Sequence, residues 1–332
     1  MPTRRFFLRN SALAMAGAGA APSWLERAVC AAGAPVKRKK VLVAIFQRGG
    51  ADGLNMVVPH GEKAYYDLRP AIAIPRPTAD PGKKDDAALD LDGFFGLHPS
   101  LGPLKPLFDQ GHLAIVNAVG SPDPTRSHLD AQRYMEGWMN RARGRERAAD
   151  LRRPYTPAAG ACYPRGRFGE SLRRIAQSIK SDVGVEMAWA DIGGWDHHVN
   201  QAGRRPSEGA LADLLREYGQ GLRAFWTDMG DRMSDVVVVT VSEFGRTAGE
   251  NGGRGTDHGH GNCMFAMGGG VGGGKVYGRW PGLEREQLRE GRDLAVTTDF
   301  RDVVGELVSR HLGNQAVKAV FPGHDVKAVG LV

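Results

Sequence analysis

Val41-Leu42-Val43-Ala44-Ile45-Phe46 is a run of six apolar residues without polar alternation. A strand buried on both faces reads this way, and such strands belong to mostly parallel sheets covered by helices. Similar runs recur at 113–119, 185–190, 236–241 and 263–267. Amphipathic stretches lie between or after them, at 99–108, 127–139, 168–179, 209–229 and 299–312. The alternation predicts an α/β fold with a mostly parallel central sheet and helices on both sides. In such folds, sites collect where the C-terminal ends of strands open into loops.

The formal charge of +7 suggests a nucleic-acid or membrane-surface partner until it is located. Residues 1–40 hold eight basic side chains and one acid, so the remaining chain carries 36 of each sign and sums to zero. No nucleic-acid partner is expected. The basic start includes Arg4-Arg5-Phe6-Phe7-Leu8-Arg9, followed by an Ala- and Gly-rich stretch from Ser11 to Ala21. Residues 1–35 therefore read as a twin-arginine export signal with an open cleavage site. The twin-arginine translocase is the implied partner and the periplasm or exterior the destination. After residue 35 no apolar run reaches the roughly 18 residues of a membrane helix, so no stable span is expected after processing. Residues 36–332 are expected to form one domain, with an Arg- and Pro-rich excursion at about 141–167. Cys30, Cys162 and Cys263 are too scattered for a disulfide framework or a cysteine zinc site.

Four clusters follow or adjoin the strand runs: Gly49-Gly50-Ala51-Asp52, Trp195-Asp196-His197-His198, Ser242-Glu243-Phe244-Gly245-Arg246, and Asp257-His258-Gly259-His260. Four of the ten histidines lie in two short loops, each beside an aspartate. Carboxylates with imidazoles and no thiolate suit zinc, manganese or a similar divalent ion. The candidate ligands are Asp52, Asp196, His198, Glu243, Asp257, His258 and His260, holding one or two ions. Between the run at 113–119 and the next helix lie Thr125-Arg126-Ser127-His128-Leu129-Asp130. Ser127 with Asp130 fits a capping box. A hydroxyl at a helix N-terminus is also well placed for an anion, and Arg126 for gripping one in a forked pair. Gly269–Lys275 lacks the Ser or Thr of a phosphate-binding loop, because Val276 follows the lysine.

The stretches Arg48-Gly49-Gly50-Ala51-Asp52-Gly53-Leu54-Asn55, Leu97-His98-Pro99, Ser127-His128-x-Asp130-Ala131-Gln132, Gly194-Trp195-Asp196-x-His198, Ser242-Glu243-Phe244-Gly245-Arg246-Thr247 and Gly255-Thr256-Asp257-His258-Gly259-His260 resemble the domain-of-unknown-function 1501 family. The resemblance runs over nearly the whole chain, to Thr298–Asp302. That family is similar to the alkaline phosphatase and sulfatase superfamily, which implies an alkaline-phosphatase-like three-layer αβα sandwich. It also implies two metal positions. One would use Asp52, Ser127 or Thr125, and Glu243; the other Asp196, His198, and His258 or His260. Phe244 stands where the phosphatases have a ligand histidine, which implies a depleted first position. The expected function is an exported metal-dependent hydrolase of an anionic ester, phosphate or sulfate. Ser127 or Thr125 would be the nucleophile, with His128 or Arg126 steadying the ester. The alternative is a non-catalytic exported protein that keeps the fold and one ion.

Overall fold

The computed structural model describes residues 39–142 and 154–332. Residues 1–35, expected to be an export signal, and residues 143–153 of the expected excursion lie outside the described residues. The strands are β1 (Val41–Gln47), β2 (Val57–Val58), β3 (Leu89–Asp90), β4 (Gly96–Leu97), β5 (Leu113–Gly120), β6 (Met187–Ile192), β7 (Val236–Ser242), β8 (Asn262–Gly268), β9 (Val276–Tyr277) and β10 (Thr298–Asp299). Seven of them form the main sheet, in the order β10-β5-β8-β7-β1-β6, with β9 also on β5. β1 is parallel to both neighbours, and β8 is antiparallel to β7 and β5. The sheet is mixed but mostly parallel, with helices on both sides.

The unbroken apolar run of β1 has a simple cause. Val41, Val43 and Ile45 enter one core, where Phe168, Leu172, Leu215 and Leu222 cover the sheet. Leu42, Ala44 and Phe46 enter the opposite core, under Phe300, Val303, Val304 and Leu307. Burying each such side chain fully is worth about 1.5–3 kcal/mol, so polar residues are excluded from both faces. The helix Arg167–Lys180 shows the complementary pattern. Phe168, Leu172, Ile175, Ala176 and Ile179 form its buried stripe, while Arg174 stays in solvent.

Two expected helices shift. The expected helix at 99–108 divides into a 3-10 turn, Pro99–Leu104, and a short helix, Lys105–Asp109. Pro103 and Pro106 have no N–H to donate and break the α-helical ladder. The last long helix ends as Phe300–Glu306 and continues as a π-turn, Leu307–His311. The loop after Gly269 carries the chain past β5, where β9 pairs with Ile115 and Val116. Among the described residues, no helix is long and apolar enough to cross a membrane.

The described second half of the excursion is fastened to a long helix by one carboxylate. Asp228, on the helix Ala210–Met229, accepts from Tyr155 Oη (2.8 Å), Tyr163 Oη (2.7 Å), Ala158 N (2.8 Å) and Lys180 Nζ (2.6 Å). Burial alone would raise this carboxyl, but the lysine and the three other donors outweigh it and hold its pKa below the ordinary value. Asp228→Ala is expected to cost about 2 kcal/mol in urea unfolding, through lost charge-assisted bonds. A depressed carboxylate stabilises the fold above its unfolded pKa and loses that contribution as pH falls through its folded one. The difference between wild type and variant should therefore be full near neutrality and shrink below about pH 4. A difference that grows on acidification would contradict the assignment.

Candidate metal centre

The parallel strands bring their C-terminal ends to one edge. Gln47, Ile192 and Ser242 are level in the ladder, so the loops after β1, β6 and β7 open side by side. β5 points the same way and leads through Ser121–Ser127 to the helix His128–Ala142. The fourth cluster arrives differently from the others. His258 and His260 precede β8, which runs antiparallel and so places its start at this same edge.

Close loop packing fixes the edge. Trp195 is buried and donates from Nε1 to Ile192 O (2.9 Å), which pins the loop bearing Asp196 and His198. A Cβ on Gly49, whose φ is +122°, would lie 2.7 Å from Asp196 N. On Gly245 it would lie 1.9 Å from Gly261 O, where the loop after β7 lies against the loop before β8. Glycine is required at both positions for backbone to meet backbone.

Four side chains converge there. Asp196 Oδ1 lies 2.9 Å from His198 Nε2 and 3.2 Å from His258 Nε2, and Asp196 Oδ2 lies 3.5 Å from His128 Nε2. His198 Nε2 and His258 Nε2 are 3.0 Å apart. His128, Asp196 and His258 each offer a ligand atom within 4.8 Å of the others and could hold a metal ion. His198 adjoins them through Asp196 and His258.

The other face of each imidazole identifies the tautomer. His258 Nδ1 lies 2.8 Å from the Arg126 carbonyl oxygen, which only accepts. His198 Nδ1 meets Asp257 Oδ1 at 3.0 Å, and His128 Nδ1 meets Glu243 Oε1 at 2.8 Å. Each Nδ1 therefore carries the hydrogen, assigned from its partner, and in the neutral imidazole each Nε2 turns a lone pair inward. Two lone pairs 3.0 Å apart beside a carboxylate repel unless a metal ion or a proton lies among them. Ligand atoms of a tetrahedral site with bonds of about 2.1 Å sit about 3.4 Å apart, and the observed spacings bracket that value. His128 Nε2 is buried without a partner. The donor set fits a divalent ion, and the outward bonds to carboxylates and a carbonyl are those that orient metal-binding histidines.

The expected ligands are thus redistributed. Asp196, His198 and His258 come together as candidates, and His128, expected to steady an ester, joins them. Glu243 and Asp257 are placed behind the imidazoles as acceptors. Buried Glu243 Oε1 also accepts from Gly49 N (2.8 Å) and Gln132 Nε2 (2.9 Å). His260 is buried elsewhere, with Nδ1 on Asp293 (2.9 Å) and Nε2 near Pro124 O (3.3 Å). Asp52 is also held apart. Its Oδ2 accepts from Arg69 Nη1 (2.7 Å) and Gln201 Nε2 (2.6 Å), in an almost fully buried pair. Burial alone would raise this carboxyl; the Arg69 charge and the two hydrogen bonds outweigh it and hold it low.

Of the predicted catalytic group, Arg126 Nη2 is tied to Asp293 (2.9 Å) and Glu290 (2.7 Å), and its carbonyl supports His258. Ser127 is exposed and caps the helix, its carbonyl accepting from Ala131 N at 3.0 Å. Thr125 Oγ1 accepts from Ser127 N at 3.1 Å, the bond a capping box would have assigned to Asp130. Phe244 packs at the site, its ring tilted by 38° to those of His128 and His258, at centroid distances of 4.8 and 4.9 Å.

One central residue had no role from its motif. Arg246 is buried and donates to Gly50 O (2.6 Å), Thr256 O (3.0 Å), Trp195 O (3.0 Å), Gly49 O and Asp196 Oδ1 (2.6 Å). Burial works to raise the Asp196 carboxyl, yet Arg246 dominates and holds it at about 2. An arginine beside Ser-Glu-Phe-Gly was the available signal; its partners are backbone carbonyls in three loops.

Fold and site define an α/β protein with a histidine–aspartate centre at the C-terminal edge of a mostly parallel sheet. The family model described as protein of unknown function (DUF1501) matches residues 144–321, more than half of the chain, which belongs to that family. No curated protein and no solved structure gives a significant match.

Proposed function

We propose that the protein is an exported, metal-dependent hydrolase of phosphate or sulfate esters, related to the alkaline phosphatase and sulfatase superfamily. The observation that carries this reading is the grouping of His128 Nε2, His258 Nε2 and the Asp196 carboxylate, with His198 Nε2 adjoining the last two, each Nδ1 being held from behind. Bound zinc or manganese would supply a Lewis acid that polarises an ester oxygen, and three imidazoles favour zinc. His128, Asp196, His198 and His258 would hold the ion, while Glu243, Asp257 and the Arg126 carbonyl keep the rings turned inward. Ser127 is the nucleophile, next in sequence to His128, at a helix end that favours anions. Its oxygen forms the new bond to phosphorus or sulfur, and the ester alcohol departs with the hydroxyl proton. Water then releases the anion and restores the serine. The basic, Ala-rich leader supports export by the twin-arginine translocase to the periplasm or beyond.

One observation favours a second reading, a non-catalytic binding protein with a single ion. Phe244 lies against two of the histidines, and Arg69 holds Asp52, so the first of the two implied metal positions lacks its expected ligands. Turnover of 4-nitrophenyl phosphate or sulfate by metal-loaded protein decides between them. The hydrolase reading expects activity that chelator removes and Ser127→Ala reduces at least a hundredfold. Activity that survives Ser127→Ala rejects this nucleophile. Bound metal with no turnover across an ester panel favours the binding protein.

A further inference from the structure

The turn after Glu250 carries a side chain whose hydrogen-bonding capacity is fully used beside the centre. Asn251 Nδ2 donates to the His198 carbonyl at 2.9 Å and to Asp257 Oδ1 at 3.1 Å. Its Oδ1 accepts from Gly253 N at 2.9 Å and Gly255 N at 3.2 Å. Two donors and two acceptors are the full inventory of a carboxamide. Only one orientation of the amide is compatible with these partners. Reversed, it would set its oxygen against a carbonyl and a carboxylate, and its NH2 against two N–H groups.

We infer that Asn251 is a positioning residue for the metal centre, acting on His198 from both ends; the inference rests on reading the cluster as a metal site. It holds the His198 backbone directly. It holds the His198 ring through Asp257 Oδ1, the same oxygen that accepts from Nδ1. The need for such a clamp follows from exposure. The side chains of His198 and Asp257 are 42% and 51% exposed, whereas those of His128 and His258 are 28% and 23% exposed. Packing alone leaves the His198–Asp257 pair free to turn into water. With Asp257 Oδ1 fixed by Asn251, the ring keeps its Nδ1–H tautomer and aims Nε2 at the centre. Partners at this remove typically change metal affinity by about 10–100-fold when lost.

Asn251→Asp is the direct test. It is nearly isosteric and keeps an acceptor for Gly253 and Gly255, but it removes both donations and sets a second carboxylate against Asp257. Zinc affinity is measured by chelator competition on the full chain, beside the visible spectrum of the cobalt-loaded protein. The expected result is a 10–100-fold weaker zinc Kd and an altered cobalt spectrum. Asp257→Asn should weaken binding similarly, and the double variant should be no weaker than the poorer single, because both act through one ring. Should Asn251→Asp not fold, Asn251→Ser is measured in its place against the same expectation. A variant affinity within twofold of wild type, or fully additive losses, overturns the inference and leaves the metal reading intact. A wild-type protein that binds no zinc or cobalt overturns that reading, and this inference with it.

Discussion

Arg246→Met is expected to lower folding stability by about 4 kcal/mol, seen as an unfolding midpoint roughly 6 °C lower. The guanidinium is the shared donor for carbonyls at Gly49, Gly50, Trp195 and Thr256, and for the Asp196 carboxylate. Methionine roughly fills the volume but donates nothing. Each buried carbonyl left without a partner costs about 1–3 kcal/mol. Asp196 is 47% exposed, so its lost pairing adds little to stability. The metal centre should suffer with the fold, because the same bonds hold the loops that bear Asp196 and His258. Arg246→Lys should recover only part of the loss, since one ammonium cannot span the spread of acceptors that a planar fork reaches. A Met variant within 1 kcal/mol of wild type would show that the loops hold without this arginine.

Arg69→Met is expected to cost about 3–5 kcal/mol, because it strands the buried Asp52 charge. Arg69 also donates to Ala248 O (2.8 Å), Thr247 O (2.9 Å) and Asn55 Oδ1 (2.8 Å). Asp52→Asn alone should cost less, since the amide keeps an acceptor for Arg69 or Gln201 and carries no charge. In the double variant the charge is gone from both sides. Denaturant unfolding of all four proteins should give a coupling of about 1–3 kcal/mol, with the double variant more stable than the sum of the singles. Strict additivity would mean that the two side chains act independently. The same proteins test the placement of Asp52, because Asp52→Asn should keep the metal content of the wild type.

Much of the frame is legible from local pattern. β1, β5, β7 and β8 bury both faces, and continuous apolar runs mark them to within a residue. The small sheet β2-β4-β3 leaves no such trace, because two-residue strands are too short for a period. β9 and β10 are invisible for the same reason. At the site, residue chemistry locates the carboxylates and histidines but not their order around the centre. Glu243 and Asp257 read as ligands because a carboxylate that touches a metal and one that orients a histidine have the same sequence appearance. His128 reads as a helper because Asp196 and His258 approach it only through folding. Arg69, Arg246 and Asn251 act on backbone carbonyls or distant carboxylates, which leave no spacing in the chain. His260 sits two residues from His258, yet Asp293 takes its ring away from the centre, and nothing local marks that choice.

The central claim is a single metal centre made by His128, Asp196, His198 and His258. Equilibrium dialysis of the full chain against zinc, with elemental mass spectrometry, measures it directly. One ion per chain is predicted for the wild type and for Asp52→Asn, with loss of that ion in Asp196→Ala and His258→Ala. Undiminished zinc in those two alanine variants, or an ion that disappears with Asp52→Asn, would contradict the account.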